Sequence, residues 1–174
     1  MRYGIHNTLL AWTALYLVEF FGLPLWLAGA TVSSIFVITM ISDPAGGFTS
    51  DRIGRIPVIF ASLTALSGLL VSLALNKGLI VVWLLLAGVG WVLTFYRGPL
   101  FALIPERYGI MEIGLVTGVH NTFAASGGFA VSLVFGYLRD ASGGFELGFM
   151  VAASLALLAA LLLIALPKAG SVTS

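Results

Sequence analysis

The 174-residue sequence contains no cysteine, so a disulfide framework and a thiolate metal site are both excluded. Charge is the next scarcity. Only 9% of residues are Asp, Glu, Lys or Arg, against about a quarter in soluble domains. A net charge of +1 offers no basic patch, so nucleic acid is not an expected partner. A phosphate-cradling glycine loop, a nucleophile triad and a His/Asp/Glu ligand cluster are missing as well. An enzyme, an ATP-driven pump, a bound metal and a cofactor are therefore not expected. What is abundant is apolar: 60% of residues are hydrophobic and the mean hydropathy is +1.10. Backbone groups in hydrocarbon must pair within their own segment or within a closed barrel. The apolar runs here are continuous, near the roughly 20 residues that a helix needs to cross, and do not alternate as barrel strands do. The expected fold is all-α and polytopic, with the lipid bilayer as a constant partner. The start, "MRYGIHNTLLAW", has no small-residue cleavage site followed by a polar chain and reads as a retained membrane helix.

Glycine, proline and charge divide the chain into six candidate spans at about 3–21, 26–46, 57–75, 79–104, 114–138 and 145–166, forming one bundle over 1–174. Six spans place both termini on one side. That side holds Arg2, Arg52, Arg55, Arg107 and Lys168, whereas the other holds Lys77 and Arg139, and Arg97 lies inside the fourth span. By the excess of Lys and Arg in cytoplasmic loops, both termini are expected in the cytoplasm of a plasma (inner) membrane protein.

Three of the fifteen formal charges fall in "GGFTSDRIGRIP", between the second and third spans. From Gly47 the spacing is Gly-x-x-x-Asp51-Arg52-x-Gly54-Arg55, closed by Pro57. Gly54 can reverse the chain with φ above zero, Pro57 suits a first helical turn, and Arg52 and Arg55 suit the cytoplasmic face. Asp51 is the unusual member. A carboxylate there is stable beside an arginine or a helix N-terminus, so it is expected to dock on a neighbouring helix end.

This spacing resembles the signature loop of the major facilitator superfamily, found between its second and third helices and again between the eighth and ninth. The stretch "LFALIPERYGIMEIGLVTGVHNTFAASGGFAVSLVFGYLRDASGGFELGF" is similar to the tenth to twelfth helices of that superfamily. The likeness is thus to a C-terminal six-helix half. It implies that Asp51 meets the N-terminus of the fifth span near Gly114. It also implies that Arg52 and Arg55 form state-dependent ion pairs locking the cytoplasmic side of an alternating-access cycle. A blander reading leaves these charges to fix topology and turn the chain. The first span begins almost at Met1, as if an upstream segment were missing, so the expected partner is a second six-helix half: a missing N-terminal half or a second copy. The function so implied is secondary active transport of a small polar molecule or ion. The alternative is a half-transporter that scaffolds or regulates a complex without transporting.

Ionisable groups at membrane depth are costly and therefore candidates for a substrate or proton pathway. Asp43, in "MISDPAGG", precedes Pro44 at a weakened point of the second span, and either carries that role or pairs with Arg97 or Arg52. Arg97, in "TFYRGPLF", serves the pathway or snorkels to the headgroups. Glu19 is a further candidate or an interfacial carboxylate at the outer surface. His120 and Asn121 fall in the glycine-rich fifth span, where His can change charge near neutral pH and Asn can hydrogen-bond a solute, or both can link helices. The glycine-rich span and the Pro-Glu loop particularly resemble nitrate/nitrite porters and organic-anion permeases. Nitrate porters carry an anion-binding arginine before the Pro/Ser-x-Gly-Gly turn. Here that position is Asp43, an acid where an anion receptor needs a cation, and nitrate is not assigned.

Overall fold

The computed structural model of the chain describes residues 4–108 and 112–165. Arg2 and Lys168, two of the cations counted for topology, lie outside the described residues. Among the described residues seven helices follow one another: α1 (Gly4–Phe21), α2 (Leu25–Ile53), α3 (Arg55–Leu75), α4 (Leu79–Phe95), α5 (Arg97–Tyr108), α6 (Ile113–Ser142) and α7 (Glu146–Ala165). The described residues hold no strand, as expected for an all-α chain.

Among the described residues four stretches are long and apolar enough to cross a membrane: Leu25–Ile53, Arg55–Leu75, Leu79–Glu106 and Glu146–Ala165. The apolar part of α1, Trp12–Phe21, is shorter, and α6 carries Thr, His, Asn and Ser through its 30 residues.

Two boundaries differ most from the sequence-based expectation, while α6 also runs on to Ser142 past the expected end at 138. The sequence places the second span at 26–46 with a loop to Pro57, but α2 continues through Pro44 and the Gly46–Gly47 pair to Ile53. Tertiary packing outweighs the poor helix propensity of glycine and proline here: Gly46 and Ser50 are buried on the same face as Ala28, Ile35, Thr39 and Ser42. The loop shrinks to Gly54 alone, whose φ of 98° lies in the region that favours glycine. The fourth span, placed at 79–104, is divided at Tyr96 into α4 and α5. Pro99 has no N–H to give the carbonyl of Phe95, so the hydrogen-bond ladder is interrupted at this level.

Packing follows small residues more than bulk, because lipid tails compete for apolar surface and close backbone approach must supply the attraction. The small-residue face of α2 lies on α4, and α3 packs along α7, with Leu66, Leu70, Leu73, Ala153 and Ala156 in the same buried cluster. Tyr16, Phe135, Phe145 and Phe149 join α1, α6 and α7 by edge-on ring contacts at 5.2–5.5 Å. Large apolar side chains such as Trp26, Met40, Leu115 and Phe123 are exposed. In water this would be an aggregation hazard; against hydrocarbon it is the natural exterior.

Candidate functional site

A close helix crossing sets the site. The Phe95 carbonyl left open by Pro99 faces Gly46 of α2, and a Cβ on Gly46 would collide with that oxygen. Four residues earlier the Ser42 hydroxyl donates to the Trp91 carbonyl at 2.5 Å, tying α2 to α4 again. Gly98 completes the approach, since a Cβ there would stand 3.1 Å from the Asp43 carbonyl oxygen and 3.3 Å from the Gly47 nitrogen.

At this crossing Arg97, the first residue of α5, donates to and pairs with the Asp43 carboxylate of α2. The two side chains are 30% and 34% exposed, neither free in solvent nor sealed in the core. Two candidates chosen from sequence for their charge are thus brought together. Of the two partners considered for Asp43, the structure gives Arg97; the guanidinium of Arg52 instead lies 4.2 Å from the ring centre of Phe48. The pair is flanked by Pro44 on one helix and Pro99 on the other. Removing one member would leave a poorly solvated charge, a costlier change than removing both.

The second cluster sits where α2, α3 and α5 meet at the Gly54 end of the bundle. Arg55 Nη1 lies 2.5 Å from Asp51 Oδ1, and its Nη2 and Nε reach Glu106 Oε1 at 3.0 and 3.1 Å. Arg55 also donates to Ser50 Oγ at 2.6 Å, and that hydroxyl donates to the Gly47 carbonyl at 2.8 Å. The partner the structure gives Asp51 is therefore Arg55. Gly114, the expected docking point, lies with Gly118, Thr122 and Phe123 along an open groove of about 400 Å³ on α6. Glu106 was not singled out from sequence. The available signal was that Asp51, Glu106 and Glu112 are the acids in the loops on that side, so an arginine there had few partners to choose from.

The opposite end carries the remaining charges. Glu19 receives Arg139 at 2.5 and 3.0 Å in a two-pronged pair, Arg139 also reaches Asp140 at 3.0 Å, and Lys77 lies 3.9 Å from Glu146. Glu19 is thus engaged at the surface end of α1. His120 meets Phe101 of α5 edge-on at 5.6 Å, and Asn121 is half-buried with no side-chain hydrogen bond among the described residues. Neither contact joins them to the Asp43–Arg97 pair. Among the described residues no group of three His, Asp or Glu could hold a metal ion.

Comparison with known proteins follows the same direction. The chain is 30% identical over 156 residues to the nitrite extrusion protein of Bacillus subtilis, covering 86% of this chain and 38% of that protein. It is 28% identical over 172 residues to a probable nitrate/nitrite antiporter of Thermus thermophilus, with the same two shares. Monocarboxylate transporter 11 of Mus musculus is 30% identical over 134 residues, 72% of this chain and 30% of that protein. The chain spans about a third of the length of the curated relatives it matches. No protein-family model matches the chain, and no solved structure matches it. By these relatives, and by the helical membrane architecture that accompanies them, the chain is similar along most of its length to members of the major facilitator superfamily and spans about a third of such a protein.

Proposed function

We propose that this chain works as one six-crossing half of a secondary carrier that moves a small polar solute by alternating access, with both termini in the cytoplasm of the inner membrane. The observation that carries the reading is the Asp43–Arg97 pair at the crossing of α2 with the α4–α5 break. Arg97 is a cation held at membrane depth, where charge is retained for function. Two of the related proteins are named for nitrate or nitrite, which makes a small inorganic anion the first cargo to test. Asp43 then acts as the internal counter-ion. It neutralises Arg97 when the site is empty, and an anion of similar charge displaces it when the site fills. His120 and Asn121 supply further polar groups from α6.

The Asp51–Arg55–Glu106 cluster is the cytoplasmic gate of this cycle, with Arg52, Gly47 and Gly54 shaping it. The six-helix unit rocks against a second one, either a preceding half or another copy, and the ion pairs re-form with each inward closure.

The test is nitrite and nitrate exchange by the full chain in proteoliposomes, alone and with a separately expressed six-helix N-terminal half of the related Bacillus subtilis protein. Exchange in either format, lost in Arg97→Gln, supports the carrier. A correctly folded chain that exchanges none of the anions in either format overturns it and favours a non-transporting scaffold.

A further inference from the structure

Helix α6 packs on α1 and α7, and α3 packs on α7 and α4, but α3 and α6 make no backbone approach to one another. The space between them is a cavity of about 220 Å³, reaching from Trp12 and Phe135 to Leu66, Leu155 and Ala156. It is separate from the Asp43–Arg97 pair, whose residues do not line it.

We propose that this cavity is a binding site for the acyl chain of a membrane phospholipid, inserted between α3, α6 and α7. Three observations support that occupant. The walls are almost wholly apolar. The polar groups on them are few: the indole N–H of Trp12, which donates to the Ser132 hydroxyl at 3.1 Å, and the Tyr96 hydroxyl. A buried water needs two to four polar partners, so a lining this poor in them favours an apolar occupant over a cluster of waters. Size is the second point. Protein interiors hold few voids larger than a water molecule, and an apolar cavity of about 150 Å³ is already enough to stay dry and take up benzene. Small residues, Gly128, Ala152 and Ala156, line the walls where larger ones would close the space. Third, Leu155 lines the cavity and is also 45% exposed on α7. The cavity therefore reaches the surface that meets hydrocarbon, and the surrounding lipid is the apolar solute at highest concentration.

Trp12 provides the probe. In a variant whose other tryptophans are replaced (Trp26→Phe, Trp83→Phe, Trp91→Phe), the full chain is reconstituted in phosphatidylcholine vesicles with or without bromine on the acyl chains, which quenches indole fluorescence on contact. The proposal expects strong quenching of Trp12, reduced at least twofold in Ala156→Phe or Ala152→Leu, which fill the space. A parallel variant that retains only Trp26, 73% exposed on α2, reports contact with bulk lipid and should be quenched equally with and without the filling substitution. No quenching of Trp12 at any bromine position overturns the proposal. So does quenching that persists unchanged in whichever filled variant keeps its helical circular dichroism. Transport is not measured, so the outcome is independent of the proposed carrier function.

Discussion

At the scale of single residues, the tightest constraint is an absent side chain. Gly46 lets α2 lie against a carbonyl that Pro99 has stripped of its donor. Gly46→Ala should therefore destabilise the fold by about 1–3 kcal/mol, as overpacking of a filled interior does. A lowered thermal midpoint in detergent checks this, and an unchanged midpoint would show that the two helices can separate there at no cost. Asp43 and Arg97 form the second residue-scale test. The Asp43→Asn/Arg97→Gln double variant should be less destabilised than the sum of the two single variants, with a coupling of about 0.5–3 kcal/mol in a double-mutant cycle. Additive effects would mean the pair is not formed in the membrane. Both residues were legible in the sequence because charge at membrane depth is conspicuous wherever it falls. The Gly46–Phe95 contact was not, because hydropathy marks where helices begin and end but not which of them cross.

At the scale of elements, the gate cluster separates two kinds of effect. Asp51 and Glu106 are 60% and 50% exposed, and ion pairs of that exposure contribute less than about 1 kcal/mol to stability. Glu106→Gln should leave the thermal midpoint within a degree or two of the original while changing the exchange rate several-fold in proteoliposomes. A variant that exchanges at the original rate would reduce the cluster to a topological anchor. The helical elements themselves were largely legible, since 20-residue apolar runs in a charge-poor chain leave few alternatives. The extension of α2 through "DPAGG" and the division at Tyr96 were not. In both places local propensity and tertiary contact disagree, and only the neighbouring helix decides the outcome: Gly46 reads as a breaker until α4 is seen to need its missing Cβ.

At the scale of the whole molecule, the exposed apolar exterior fits a chain immersed in lipid, and the ion pairs other than Asp43–Arg97 gather at two ends. One end holds Asp51, Arg55 and Glu106; the other holds Glu19, Lys77, Arg139 and Glu146. The absence of cysteine makes this testable without a prepared background. With single cysteines introduced as Asn76→Cys or Ile53→Cys, a membrane-impermeant maleimide added to intact cells should label the first and spare the second until the membrane is opened. Labelling of both from outside would invert or abolish the proposed orientation. The number of crossings was legible only in part, because α6 mixes polar and apolar residues through its length and its hydropathy alone does not place it across the bilayer.

The joint at Gly54 has a mechanical consequence. One residue, at φ 98°, is the whole connection between a 29-residue helix and a 21-residue helix. Such an elbow has no slack. A tilt at the foot of α2 is not absorbed by a loop but delivered to α3 as a turning force, and Arg55, the first residue beyond the elbow, passes it to α5 through Glu106. The three helices are thereby coupled through one residue and one ion pair, rather than being free to tilt as three independent rods.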